Sequence, residues 1–152
     1  MIYYIIVIVA ILLDRIVKFL IASKMQPGES IPVLDNIFHI TYVQNQGAAF
    51  SMMQGQWIIL IVLPAVVLAA GLVLLFWKRH KWSRVMLTGI ALICGGGIGN
   101  LIDRIGQGYV VDLFDFRVFP VFNIADIGIC VGCGLLLLDV LILDRKQSGR
   151  DE

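Results

Sequence analysis

Four long apolar runs dominate the chain. Residues 2–22 are apolar apart from Asp14, Arg15 and Lys18. Residues 57–77 carry no charge and are bounded by Trp57 and Trp77, a residue type that favours the membrane interface. Residues 85–104 are uncharged as far as Ile102, and residues 125–143 carry Asp139 in an otherwise apolar stretch that opens at Asp126. A hydrocarbon core about 30 Å thick needs roughly 20 apolar helical residues. The pattern therefore predicts an all-α membrane protein with four transmembrane helices, the second kinked near Pro64. The first run lacks a basic leader and a small-residue cleavage site, so it reads as a retained span.

Composition supports this picture. Hydrophobic residues make up 59% of the 152 residues and charged ones 15%, where a soluble domain carries about a quarter. Mean hydropathy is +0.91. That balance excludes a disordered chain and a water-soluble globule of this size. A net charge of +1 gives no electrostatic reason to expect a nucleic-acid partner. Cys94, Cys130 and Cys133 all sit in apolar runs and make no disulfide framework. One C-x-x-C pair without a second, and no H-E-x-x-H, predict no metal site.

The basic residues set an orientation. Lys78, Arg79, Lys81 and Arg84 lie between spans two and three, and Arg145, Lys146 and Arg150 follow span four. Positive residues stay inside, so both termini are expected in the cytoplasm. The connections 24–56 and 103–126 then face outward. They are apolar for loops. Ile37 to Val43 is β-prone and is followed by a turn signal at Asn45-Gln46-Gly47. Tyr109-Val110-Val111 leads into Phe114, Phe116, Phe119 and Phe122, interleaved with Asp112, Asp115 and Arg117. Both segments are expected at the outer interface. No boundary divides the chain, which reads as one domain, 1–152.

Ionisable groups within the spans demand a reason, because each costs at least about 2.5–3.5 kcal/mol at a helix centre. Asp14 and Lys18 share one helix face, four residues apart. A supporting ion pair, with Lys18 snorkelling outward, is the expectation. Asp139 is expected to snorkel inward or to meet a basic tail residue. Beside a glycine seam, Asn100, Asp103 and Arg104 project from one face, as an organised polar site would. Taken singly, Asn123 and Asp126 read as helix-capping residues and Asp112 as a loop carboxylate. Taken as a pair, Asp112 and Asp126 could share a proton in a partly dry site, the arrangement of an aspartic protease. Spacing leaves both readings open. A transporter would need polar groups across the membrane, whereas here they gather at one face. A structural subunit would explain the spans but not the outward Asn and Asp clusters. A Ser or Cys triad would depend on His39, and no G-x-S-x-G elbow is present.

These residues, in order, resemble the lipoprotein signal peptidase (signal peptidase II) family of bacterial membrane aspartyl proteases. Asp14 to Lys18 is similar to its D-x-x-x-K element, and Asn45 to Ser51 to N-x-G-A-A-F-S. Gly96 to Arg104 resembles G-G-x-x-G-N-x-x-D-R. Gly108 to Asp112 and Phe122 to Asp126 resemble its two aspartate-bearing segments. Arg15 and Val17 depart from the usual Gln and hydroxyl residue, Leu113 stands where Phe is common, and the stretch from Asp112 to Asp126 is short. The resemblance implies a small extracytoplasmic β-cradle and a short interfacial helix. It implies Asp112 and Asp126 as the catalytic pair, and Asn45, Asn100, Arg104 and Asn123 around the substrate backbone. Asp103 would orient Arg104, Gly47 would serve a turn, and Asp14 and Lys18 would support the assembly. The implied substrate is a diacylglyceryl-prolipoprotein, cut just before its lipidated cysteine at the outer face of the bacterial inner membrane. Membrane lipid and globomycin-type inhibitors are the other implied partners, with no cofactor and a monomeric enzyme.

Overall fold

A computed structural model describes residues 1–47, 58–78 and 80–148, the side chains of 142–148 excepted. Arg79, Trp57, the stretch Ala48 to Ser51, Arg150 and the side chains of Arg145 and Lys146 fall outside that description. Among the described residues four long helices and three strands follow in the order α1 (Ile2–Lys24), β1 (Ser30–Leu34), β2 (Phe38–Asn45), α2 (Leu63–Trp77), α3 (Arg84–Gln107), β3 (Val110–Asp115) and α4 (Ile124–Ser148). The stretches Ile58–Trp77, Arg84–Gln107 and Ile124–Leu141 are long and apolar enough to cross a membrane. Their outer faces expose Val66, Val67, Val131, Leu137 and Leu138, as lipid-facing surfaces do. Among the described residues, no short helix stands apart from these elements where an interfacial one was expected.

Local chemistry sets the helix ends. Pro64 cannot donate to the preceding turn. The chain absorbs this with a π-helical turn over Ile58–Val62 that leads into α2, so the expected irregularity precedes the proline. Ser83 caps α3 by accepting the Met86 N–H at 3.0 Å. At the other end Gly108 takes φ 80° and donates its N–H to the Arg104 carbonyl, which turns the chain straight into β3.

α3 is the central helix, and its glycines explain how. A Cβ on Gly95 would lie 2.6 Å from the Ala10 Cβ of α1, and one on Gly96 2.3 Å from the Ala125 carbonyl oxygen of α4. On Gly97 it would meet Leu68 of α2 at 2.5 Å. Three consecutive glycines thus face three different helices: Gly95 and Gly96 permit backbone approaches that a side chain would block, and Gly97 makes room for the Leu68 side chain.

The sheet has the order β1-β2-β3, antiparallel throughout. Val43 lies opposite Asp112 and Asn45 opposite Val110, after an irregularity between Ile40 and Val43. Beyond β3, Phe114 and Phe122 form an antiparallel bridge, with N–H to carbonyl distances of 2.8 and 3.1 Å. Phe38, Phe114, Phe116, Phe119 and Phe122 pack around this bridge, with centroids 4.8–6.2 Å apart. The bridge closes residues 115–121 into a short arm. It brings the start of α4 back beside β3, at the end of the bundle where α3 stops.

Two expectations about charged residues are corrected here. Lys18 does not snorkel: it is 1% exposed. Asp139 is also buried instead of snorkelling, and it accepts from the Ser83 hydroxyl at the opposite end of α3 from the sheet, while the basic tail side chains lie outside the described residues. A serine already fixed as a helix cap offers that carboxylate a nearer donor than water.

Candidate active site

The site is built where α1, α3, β3 and the start of α4 converge. Asn123 precedes α4, and its side-chain oxygen accepts the Asp126 N–H at 3.0 Å. In return Asp126 Oδ2 accepts the Asn123 N–H at 3.2 Å. This is a reciprocal capping box with the acid three residues on, so the bland reading of both residues is correct. It is also incomplete. The Asn123 amide donates to Asp112 Oδ1 at 2.7 Å and to Asn100 Oδ1 at 3.2 Å. Asn100 in turn donates to Asp126 Oδ1 at 2.9 Å. Across the sheet Asn45 donates to Asp112 Oδ2 at 2.9 Å, a diagonal pair fixed by the β2–β3 register. Three asparagines therefore tie Asp112 and Asp126 into one network.

Beneath them lies a charged cluster without water-facing relief. Lys18 Nζ donates to Asn100 Oδ1 at 2.8 Å and lies 2.8 Å from both Asp14 Oδ2 and Asp103 Oδ2. Asp14 Oδ1 accepts the Ala125 N–H at 3.0 Å, next to Asp126. Asp103 Oδ2 accepts the Val111 N–H at 3.3 Å, next to Asp112. Breaking one partner out of such a buried set costs about 3–5 kcal/mol. Gly99 permits the arrangement, because a Cβ there would lie 2.5 Å from Asp14 Oδ2.

Arg104 leaves this cluster and lines the cavity. Its Nη2 donates to the Gly47 carbonyl at 3.2 Å, while its buried Nε has no partner among the described residues. Gly47 itself is held by an Asx turn, its N–H donating to Asn45 Oδ1 at 3.0 Å. The cavity has a volume of about 620 Å³. Asn45, Asn100, Arg104, Asp112 and Asp126 form its polar pole, and Phe119, Val121, Ile127 and Val131 are among its apolar walls. Asp112 is 2% exposed. Burial pushes its carboxyl up to about 6, and the negative charge of Asp126 adds to this against the Asn45 and Asn123 hydrogen bonds.

All ten residues singled out in the sequence therefore meet at one end of the molecule. Asp103 turns toward Lys18 and Val111, so its contacts hold α1 and β3. Two groups of residues escaped the sequence reading. Arg15 donates to Asp103 Oδ1, and its place one residue after Asp14 was the available signal. Ser30, His39, Thr41 and Asp115 form a second polar chain across the sheet, which no spacing announced.

Apolar helices and a buried cluster of acids and amides at one end define a membrane enzyme. Comparison with known proteins agrees. Two solved bacterial membrane enzymes superpose with TM-scores of 0.84 and 0.81, each at 31% identity over 91% of this chain and 87% and 92% of theirs. The family model of signal peptidase (SPase) II matches residues 6–142. A lipoprotein signal peptidase of Halothermothrix orenii is 47% identical over 89% of this chain and 92% of its own. Another, from Halalkalibacterium halodurans, is 46% identical over 97% of both. The chain belongs to the signal peptidase II family and is a peptidase.

Proposed function

We propose that the chain is an aspartic endopeptidase that removes the signal peptide from diacylglyceryl-modified prolipoproteins, cutting just before the lipidated cysteine. Asp112 and Asp126 are its catalytic pair. The observation that carries this reading is Asn123, which donates to Asp112 and exchanges a capping box with Asp126 while both acids line one cavity. One carboxylate takes a proton from water, whose oxygen attacks the scissile carbonyl. The other carboxyl protonates the carbonyl oxygen; the first, now carrying the water's proton, gives it to the departing amine as the C–N bond breaks, and the second recovers its proton from a hydroxyl of the tetrahedral carbon. Arg104 lines the same cavity, and its guanidinium suits the developing negative charge. Asn45, Asn100 and Asn123 keep the acids in place and, with Gly47, border the substrate backbone. Asp14, Lys18 and Asp103 support them.

The whole chain works as one integral-membrane domain, and a monomer suffices because both acids come from one chain. α1 is the fourth span. Its 23 residues extend about 35 Å, enough for the hydrocarbon core. Its charges are neutralised internally. Basic residues between α2 and α3 support a topology with both termini in the cytoplasm and the cavity at the outer face of the inner membrane. There the acyl chains of the substrate anchor the scissile bond at the depth of the acids, which replaces a three-dimensional search. Globomycin-type peptides would occupy the same cavity.

The decisive experiment is a gel-shift assay with purified protein and a lipidated precursor. Asp112→Asn and Asp126→Asn each abolish cleavage while the protein stays folded in membranes, and turnover by either variant refutes the pair. For the topology, Gln46→Cys reacts from outside with a reagent that cannot cross the membrane, whereas His80→Cys does not.

A further inference from the structure

Four charged side chains are tied together between α1 and α3, and one of them differs from the rest. The side chains of Asp14, Lys18 and Asp103 are at most 1% exposed, while that of Arg15 is 36% exposed. Arg15 donates to Asp103 Oδ1. The second oxygen of Asp103 serves Lys18 at 2.8 Å and the Val111 N–H at 3.3 Å. Val111 adjoins Asp112 in β3, and Lys18 holds Asn100, which donates to Asp126. Asp103 is thus the anchor for both acids, and Arg15 grips that anchor from the surface.

Charge counting gives the grip a purpose. Asp14 and Asp103 contribute two negative charges and Lys18 one positive charge. Arg15 closes the balance. Without it a surplus negative charge would remain in a poorly solvated cluster, where charges act over longer range than in water. The charged groups packed around the acid pair are Asp14, Arg15 and Lys18 on α1 and Asp103 and Arg104 on α3, while the acids themselves lie on β3 and α4. β2 adds the neutral Asn45.

We propose that Arg15 is a positioning residue for hydrolysis, which neutralises Asp103 so that the cluster under the acid pair carries no net charge and holds Asn100 and Val111 in place. This rests on the reading of Asp112 and Asp126 as the catalytic pair. An active pair needs one ionised carboxylate, and a surplus negative charge nearby makes that ionisation harder.

The test is the pH profile of kcat for the full chain in lipid vesicles, acting on a synthetic diacylglyceryl prolipopeptide. Arg15→Gln keeps a side-chain N–H donor and removes the charge. Its acid limb moves to higher pH by about half a unit or more, which is about threefold in kcat on that limb, with KM within about twofold. Arg15→Lys keeps the charge and tracks the parent. Asp103→Asn leaves a surplus positive charge and moves the limb to lower pH, which keeps the test intact should Arg15→Gln fail to fold. An Arg15→Gln profile that superimposes on the parent overturns the proposal. So does an Asp103→Asn limb that moves to higher pH, or an equal loss at every pH in both Arg15 variants. Asp112→Asn and Asp126→Asn run alongside: turnover by either one sinks the acid-pair reading, whereas silence from both with an unmoved Arg15→Gln profile sinks the Arg15 proposal alone.

Discussion

The side-chain amide of Asn123 donates to Asp112 over 2.7 Å, and the same residue caps the helix that carries Asp126. Position and chemistry therefore share one side chain. Asn123→Ala removes the cap, worth about 1 kcal/mol, and both amide contacts. Asn123→Ser restores an oxygen that can cap but no amide. Serine is thus expected to recover part of the thermal stability that alanine loses. Activity is expected to fall by about 10²–10³ in both, since loss of one aligned donor in an active site has that scale. Tryptophan-detected unfolding in micelles, beside kcat/KM on a lipidated peptide, checks this. Serine activity near the parent would reduce Asn123 to a cap.

The glycines of α3 make a second comparison. At Gly96 an added Cβ would lie 2.3 Å from the Ala125 carbonyl, a backbone atom one residue from Asp126. At Gly106, near the end of the same helix, it would meet nothing within 4 Å. Gly96→Ala should push α4 away and lower both activity and stability. Gly106→Ala should be neutral or stabilising by about 0.5–1 kcal/mol, the usual gain in a helix. Equal effects at the two positions would contradict the packing described for α3.

Much of this architecture could be read from the chain because bilayer thickness constrains it so tightly. Length and hydropathy located α2, α3 and α4 within a few residues. The β-prone run around Ile37 to Val43 became β2, and Tyr109 to Val111 leads into β3. What could not be read depends on long-range register. β1 contains Pro32 and every residue in it is exposed, so no alternation betrays it. The β2–β3 pairing depends on an irregularity at Ile40/Val43, and the return of α4 depends on the Phe114–Phe122 bridge. Neither leaves a local signal. Arg15 showed only as a departure from the family's usual Gln, because its partner Asp103 is 88 residues away. Asp139 was expected to snorkel inward or to meet a basic tail residue; it is buried instead, and the hydroxyl of Ser83, 56 residues away, donates to it.

Proton counting along the second polar chain yields a further prediction. Burial pushes the Asp115 carboxyl up, but hydrogen bonds from Arg117 and Thr41 outweigh it and hold the group below the usual carboxylate range. It is therefore an acceptor at neutral pH, and the Thr41 hydroxyl donates to it at 2.8 Å. Thr41 can then only accept from Ser30 at 2.8 Å, so Ser30 has no proton left for His39 Nδ1 at 3.1 Å. His39 must donate from Nδ1. Nitrogen-15 NMR of labelled histidine at pH 8 should show His39 protonated at Nδ1, and Thr41→Val should abolish that preference. An Nε2-protonated parent would mean the chain runs the other way.

Asp112 should leave a mark on stability as well as on activity. Its carboxyl is raised from 3.8 to about 6 in the fold, first by burial. A group with a higher folded pKa binds its proton more tightly when folded. Its stability is therefore fully present below about pH 4, is lost as pH rises through about 4 to 6, and stays lost above. The shift corresponds to about 3 kcal/mol. Asp112→Asn cannot titrate, so its stability relative to the parent should climb across that window and level off at neutral pH. Asp126→Asn removes a charge that helps hold Asp112 up, and should move the same window to lower pH. Thermal unfolding in detergent between pH 4 and 8 measures all three curves. A parent and an Asp112→Asn variant that run parallel throughout would mean that the carboxyl is not held away from its ordinary value, and that the dry, acid-paired environment drawn for it is wrong.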